Sequence, residues 1–266
     1  MKKMCFVPYV GGKFSIFGKL NALMPEHHTY VEVFGGGASF LLNKDPSRVE
    51  CYNDINGDMT NLFVVVRDKL NEFLERCELL IYSKELLNRF KNAKPEDDIE
   101  RAVRTYYLLR CSFSAAMVSW SRSKKENRAK SFFNSFTGLV RVSRRLQNVQ
   151  VDQLDFRECI KKWDSPRTFF FLDPPYYGLN YYVFGFTERD HIDLRILLGK
   201  TKGKWLLTYN DHSQILNWYK KYDIIIEQMK KTASYAKAGT KRADFGNAII
   251  ANYPILEKKK PLYKIR

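Results

Sequence analysis

The chain has no Cys-x-x-Cys pair; its five cysteines stand singly at 5, 51, 77, 111 and 159. That excludes a disulfide framework and a clustered zinc site, and it fits a reducing compartment. There is no apolar run long enough to span a bilayer and no basic amphipathic helix at either end. The charged start, Met1 to Phe6, meets Pro8 and the glycines at 11 and 12 too early to form a signal-peptide core. Acidic residues are scarce: 29 Asp and Glu stand against 45 Lys and Arg, a net charge of +16. Such an excess goes beyond the needs of solubility and points to a polyanionic partner. Two nucleotide signatures are also missing. Lys13 is followed by Phe14, so there is no phosphate-binding Gly-Lys-Ser/Thr loop, and Gly35-Gly36-Gly37 lacks the dinucleotide spacing expected for NAD or FAD.

What is present fills 266 residues at 45% hydrophobic content, enough for one large domain or a core domain with an insertion. Pro8 to Lys13 form a glycine turn ending on a lysine, or else an ordinary surface turn. A helix is predicted from Phe14 to about Leu23. Tyr30 to Phe34 reads as a strand, broken by the three glycines into a helical start at Ala38 to Leu42. Strand, glycine turn and helix open a doubly wound nucleotide-binding unit, whose glycines let a ligand approach the backbone. A second strand, Arg48 to Tyr52, ends in Asn53-Asp54. An acid about 20 positions past the glycines suits acceptance from ribose hydroxyls. The alternative role for Asp54 is the N-cap of a helix beginning near Asn56.

Residues 57–112 read as helical with a break near Asn92 to Pro95, and Met59, Leu62, Phe63 and Val66 form a core stripe. Asn148 to Asp152 is a third strand, with Asp155-Phe156 just beyond it. Later come a helix from Glu188 to Leu198 capped by Thr187, a strand Lys204 to Tyr209 and a short helix over 213–220. Two further strands, Asp223 to Glu227 and Asn247 to Tyr253, are joined by a long loop and are therefore expected antiparallel. Lys258-Lys259-Lys260 reads as a solvated tail.

The chemistry concentrates at Asp173-Pro174-Pro175-Tyr176. It follows Thr168 to Leu172, an apolar run suited to a strand buried on both faces. An acid then emerges at a strand's carboxyl end, where open α/β sheets bind ligands. Two prolines fix the backbone and remove two donors, leaving the Pro174 carbonyl as a rigid acceptor. With the Tyr176 ring beside them, these acceptors suit a planar group bearing an NH2. Tyr177 to Phe186 follow as an aromatic, glycine-hinged loop able to close over a substrate, or simply to pack on the domain.

From Ser112 to about Leu146 the character changes. Arg122, Lys124, Lys125, Arg128 and Lys130 lead into aromatic residues around Asn134, then Arg141 and Arg144. Basic groups interleaved with aromatics suit phosphate and base-edge contacts, against the plainer reading of a solvated loop.

Taken in order, Tyr-Val-Gly-Gly-Lys (9–13), Tyr-Val-Glu-Val-Phe-Gly-Gly-Gly-Ala-Ser (30–39), Asn-Asp-Ile-Asn-Gly-Asp (53–58) and Asp-Pro-Pro-Tyr (173–176) closely resemble the family of DNA adenine-N6 methyltransferases that includes the Dam enzymes. The resemblance implies a Rossmann-like, seven-stranded, mostly parallel α/β sheet with its last strand antiparallel. It places a catalytic domain over 1–56 and 148–266, with a mainly helical target-recognition insertion over 57–147. It also implies S-adenosylmethionine as methyl donor and double-stranded DNA as partner, with no metal and no membrane. A monomer in the cytoplasm of a prokaryote, or encoded by a phage, is expected. Tyr9 and Lys13 would line the cofactor site, and Glu32, Phe34, Gly35 and Gly37 would wrap its methionine end. Asp54 would take the ribose hydroxyls, and Asp155 and Phe156 would flank the adenine. Asp173, Pro174 and Tyr176 would hold the target base beside the cofactor. The recognition region departs from the family pattern Asn-Arg-x-x-Phe-Asn-Gly: residues 109–115 keep Arg110 and Phe113 but neither asparagine nor the glycine. Arg110 remains a candidate DNA contact, while recognition of GATC is not implied.

Adenine's exocyclic amine is a weak nucleophile because its lone pair is delocalised into the ring. Acceptors at Asp173 and Pro174 would bind both N6 hydrogens and favour a pyramidal nitrogen for direct in-line displacement. No Pro-Cys dipeptide supplies the nucleophile of a cytosine-C5 enzyme. The amine is inaccessible within a duplex, so the base must be flipped out, with Tyr176 stacking on it. The rivals are an RNA adenine-N6 methyltransferase and a DNA-binding module with a vestigial cofactor pocket.

Overall fold

A strand apolar throughout, such as Thr168 to Leu172, demands a sheet covered on both faces. The computed structural model describes residues 4–9, 11–115, 117–179, 185–228 and 246–255. Tyr181 to Phe184 of the aromatic loop, most of the loop after Thr232 and the basic end from Lys258 lie outside these. Strands β1 (Thr29–Glu32), β2 (Val49–Asn53), β3 (Val149–Asp152), β4 (Thr168–Leu172), β5 (Lys204–Asn210), β6 (Asp223–Gln228) and β7 (Gly246–Ala251) form one sheet in the order β3-β2-β1-β4-β5-β7-β6. The pairs among β1 to β5 are parallel, and β7 runs antiparallel between β5 and β6. This is the mostly parallel Rossmann-like sheet expected, with its last strand reversed.

Every residue of β4 is buried. Phe169 and Phe171 join one apolar cluster with Tyr30 and Tyr52, whereas Phe170 and Leu172 join the other with Val31 and Val33. Burial on both faces explains why so apolar a strand sits at the centre. The first cluster takes in Leu20 of α1 (Phe17–Ala22), Phe63 of α2 (Gly57–Asp68), Phe73 of α3 (Leu70–Glu78), Leu87 of α4 (Lys84–Asn92), Tyr106 of α5 (Asp98–Cys111), Phe132 of α6 (Arg128–Asn134) and Leu146 of α7 (Leu139–Leu146). The second takes in Cys159 of α8 (Phe156–Trp163), Leu194 of α9 (Glu188–Leu198) and Ile215 of α10 (Ser213–Tyr219). Thr187 caps α9 as expected, in a capping box with Asp190.

Two local expectations are corrected. No helix forms from Ala38 to Leu42. Ala38 sits at φ 49°, and the Leu41 amide donates to Glu32 Oε2 at 2.8 Å, so the chain wraps the carboxylate in turns instead of extending a helical ladder. Nor does Asp54 cap α2. Asn56 does so, its side chain accepting from the Asp58 amide at 3.0 Å.

Residues 57–147 share their buried cluster with the sheet residues Tyr30 and Phe169. A buried ion network also joins α7 to β2. Arg145 meets Glu50 through two bonds, of 2.5 and 2.9 Å, and Lys44 Nζ lies 2.5 Å from the same carboxylate. Burial alone would raise the Glu50 carboxyl, but the hydrogen bonds from Arg145 and Lys44 outweigh it and hold it below the usual range. Among the described residues no helix is long and apolar enough to cross a membrane, and no cluster of His, Cys, Asp and Glu is placed to hold a metal ion.

Replacing Glu50 by Ala strands two cations and should cost about 3–5 kcal/mol in urea unfolding near neutral pH. A carboxyl depressed in the folded state stabilises above its unfolded pKa, and that contribution disappears as the pH falls through the folded value. The acid-dependent loss should therefore be smaller in the variant than in the wild type.

Candidate active site

Strand order reverses between β1 and β4, and a cavity of roughly 590 Å³ opens at the carboxyl ends of these strands. Tyr9, Lys13, Glu32, Phe34, Gly35 and Gly37 all line it, as do Asp54, Asp155, Phe156 and Asp173. One end is aromatic: Phe34, Phe156 and Phe186 meet with ring centroids 5.5–5.7 Å apart.

Two buried carboxylates shape the wall. Asp54 accepts from the amides of Gly36 at 2.7 Å and Asn56 at 2.8 Å, and burial still raises its pKa against those bonds. Glu32 accepts from the Tyr30 hydroxyl at 2.6 Å and the Leu41 amide, and burial pushes it up to about 8. The glycines are needed chiefly for packing within the protein. A Cβ on Gly35 would lie 2.1 Å from the Tyr52 ring, and Gly36 (φ 47°) would bring one to 2.7 Å from the Tyr9 ring. These two glycines make room for tyrosines and also line the cavity.

Asp173 projects from the end of β4. Its Oδ2 is 2.6 Å from Lys13 Nζ, and its Oδ1 accepts from the Thr208 hydroxyl of β5 at 2.6 Å. Lys13 also donates to the Gly11 carbonyl at 2.7 Å and lies 4.9 Å from the centroid of the Tyr176 ring. Burial, and then the Asp173 charge, raise the Tyr176 pKa well above its ordinary value, so the hydroxyl stays protonated. It donates to Asn247 Oδ1 at 2.7 Å. Asn210, the cross-strand partner of Asn247, donates to the Tyr177 carbonyl at 3.0 Å. A carboxylate gripped by Lys13 and Thr208, beside an aromatic face and at the wall of a nucleoside-sized cavity, is equipped to accept hydrogen bonds from an amine.

The family model for D12 class N6 adenine-specific DNA methyltransferases matches residues 9–233. The chain belongs to this class.

It is accordingly an adenine-specific DNA methyltransferase. The DNA adenine methylase of Escherichia coli K12 is 23% identical, with 91% of this chain and 92% of that protein covered. The type II methyltransferase M.CviBI of Paramecium bursaria Chlorella virus NC1A is 22% identical over 81% of this chain and 86% of its own. The DNA adenine methylase of Haemophilus influenzae is 28% identical over 46% of this chain and 38% of its own.

For a member of this class, the basic residues are unevenly placed. Arg122, Lys124, Lys125, Arg128, Lys130, Asn134, Arg141 and Arg144 are exposed. Arg110 is different. It is half-buried, donates to the carbonyls of Cys5 and Phe6, and lies against the Tyr106 ring. Ala115 takes φ 56°, in the left-handed region that favours glycine, where the Dam-like pattern has glycine. Sequence reasoning missed Thr208, Asn210 and Asn247, and also Pro8 and Ile55 on the cavity wall. Their one signal is the polar Thr208 and Asn210 at the end of an otherwise apolar strand.

Tyr176→Phe removes the partner of Asn247 Oδ1, and the Asn247 Nδ2 is already buried without a hydrogen bond. The variant should lose about 1–3 kcal/mol of stability in thermal or urea unfolding. It should keep most of its methyl transfer, because stacking uses the ring, whereas Tyr176→Ala should be much slower.

Proposed function

We propose that this enzyme takes its methyl group from S-adenosylmethionine and delivers it to N6 of an adenine flipped out of duplex DNA. The observation that carries this reading is Asp173, gripped by Lys13 and Thr208 on the cavity wall beside Tyr176. The cavity fits the donor. Glu32 is a buried carboxyl whose ionised form a cationic ligand would stabilise, and Asp54 retains acceptor capacity for hydroxyls beyond its two amide bonds. Phe34, Phe156 and Phe186 supply an apolar recess for a purine, with Asp155 at its rim. Tyr9, Gly35 and Gly37 complete the wall. When bound, S-adenosylmethionine supplies an electrophilic methyl.

The residues do the remaining work by placement. The ammonium of Lys13 and the hydroxyl of Thr208 hold the Asp173 carboxylate in place. Each carboxylate oxygen has lone-pair capacity left after the bonds to Lys13 and Thr208, so one can accept an N6 hydrogen while the Pro174 carbonyl accepts the other. Drawing both hydrogens out of the ring plane frees the nitrogen lone pair for in-line attack. Tyr176 offers its ring to the extruded base, offsetting about 1–3 kcal/mol of the flipping cost. The exposed cations between Arg122 and Arg144 meet the polymer.

Asp173→Ala should abolish transfer of tritiated methyl to duplex DNA while leaving DNA binding largely intact; full activity would end the assignment. The same assay run on RNA should give little incorporation. Affinity for S-adenosylmethionine should rise with pH towards about 8, because a cationic ligand favours ionised Glu32. Calorimetry in buffers of different ionisation enthalpy should detect proton release on binding, and Glu32→Gln should remove it.

A further inference from the structure

A second concave surface lies between α4 and the segment that leads away from the cavity. Lys84, Asn88 and Lys91 form one wall, and Val118, Trp120 and Arg122 the other. Positions 84, 88 and 91 are spaced i, i+4, i+7, so they make a single stripe along α4. The opposite wall is anchored. Trp120 packs on Tyr82 with ring centroids 4.3 Å apart and pairs with Ser112 in an isolated bridge, and Lys91 donates to the Val118 carbonyl.

The charge arrangement is unfavourable for the protein alone. Among the described residues, none of Lys84, Lys91 and Arg122 has a carboxylate partner within ion-pairing distance. Lys84 also occupies the first position of α4, where the helix dipole favours an acid by about 0.3–1 kcal/mol. Three convergent cations, one set against its own helix, are stabilised by a polyanion. Their position suggests which one. Ala115 and Met117 line the active-site cavity, and Val118, Ser119, Trp120 and Arg122 line the groove, so the two sets lie close together in the chain.

We propose that this groove holds backbone phosphates of the DNA flanking the target site, with Lys84 and Lys91 joining Arg122 as contacts. The inference rests on the reading above that the substrate is duplex DNA. Phosphate contacts carry no base information, so the groove would add affinity and register without altering the recognised sequence.

The test compares wild type with Lys84→Glu and with a Lys84→Ala, Lys91→Ala double variant. Lys84→Glu suits the helix start, so the fold should be retained, as checked by thermal unfolding. Binding is measured across a salt series on a long duplex with a central target and on one trimmed close to the target. On the long duplex, the slope of log K against log salt should shrink by about 0.9 for each contacting cation removed, hence roughly 2 in the double variant. Both variants should bind the trimmed duplex like wild type. An unchanged slope on the long duplex, with wild type still methylating it, would overturn the groove alone. Wild type that neither binds nor methylates duplex DNA would overturn the functional reading and the groove together.

Discussion

The ion pair between Lys13 and Asp173 joins positions 160 residues apart in the chain and holds the site together. It brings the N-terminal glycine turn onto the end of β4, next to Thr208 from β5 and the ring of Tyr176. Asp173 is a half-buried carboxylate. Here one cation and one hydroxyl meet it without exhausting its acceptor capacity, which a site for an amine requires. The apolar sheet beneath, with β4 buried on both faces, keeps these groups at fixed positions.

The two deeper carboxylates are both raised by burial but are partnered differently. Asp54 is met by backbone amides, and in accepting from Gly36 it ties the first glycine turn to the tip of β2. Glu32 is met by a tyrosine hydroxyl and one amide, too little to offset its burial, so it stays poised near neutrality. One carboxylate shapes the wall and the other is set to respond to a cation. The same turn that satisfies Glu32 replaces the helix that composition favours after the glycines.

Much of this was legible in the residues. The strand pattern, the capped helix at Thr187 and the ordered motifs from Tyr9 to Tyr176 foretold the sheet and the residues that line its cavity. Less legible were Thr208, Asn210 and Asn247, because ordinary polar residues acquire roles only when strands far apart in sequence pair in register. The packing of Arg110 was not legible either. Its charge and motif position suggested DNA, and the fold also sets it against the carbonyls of Cys5 and Phe6.

The sequence by itself determined the fold class and the reaction type. Strands apolar throughout, with glycine and proline punctuation, allow few architectures, and the ordered motifs from Tyr9 to Tyr176 resemble one family of methyltransferases. Only the tertiary structure decided what the glycines accommodate, which groups hold Asp173, and that α4 faces Arg122 across a basic groove. Those outcomes depend on contacts between segments remote in sequence, and local propensity carries no information about which side chains such packing will bring together.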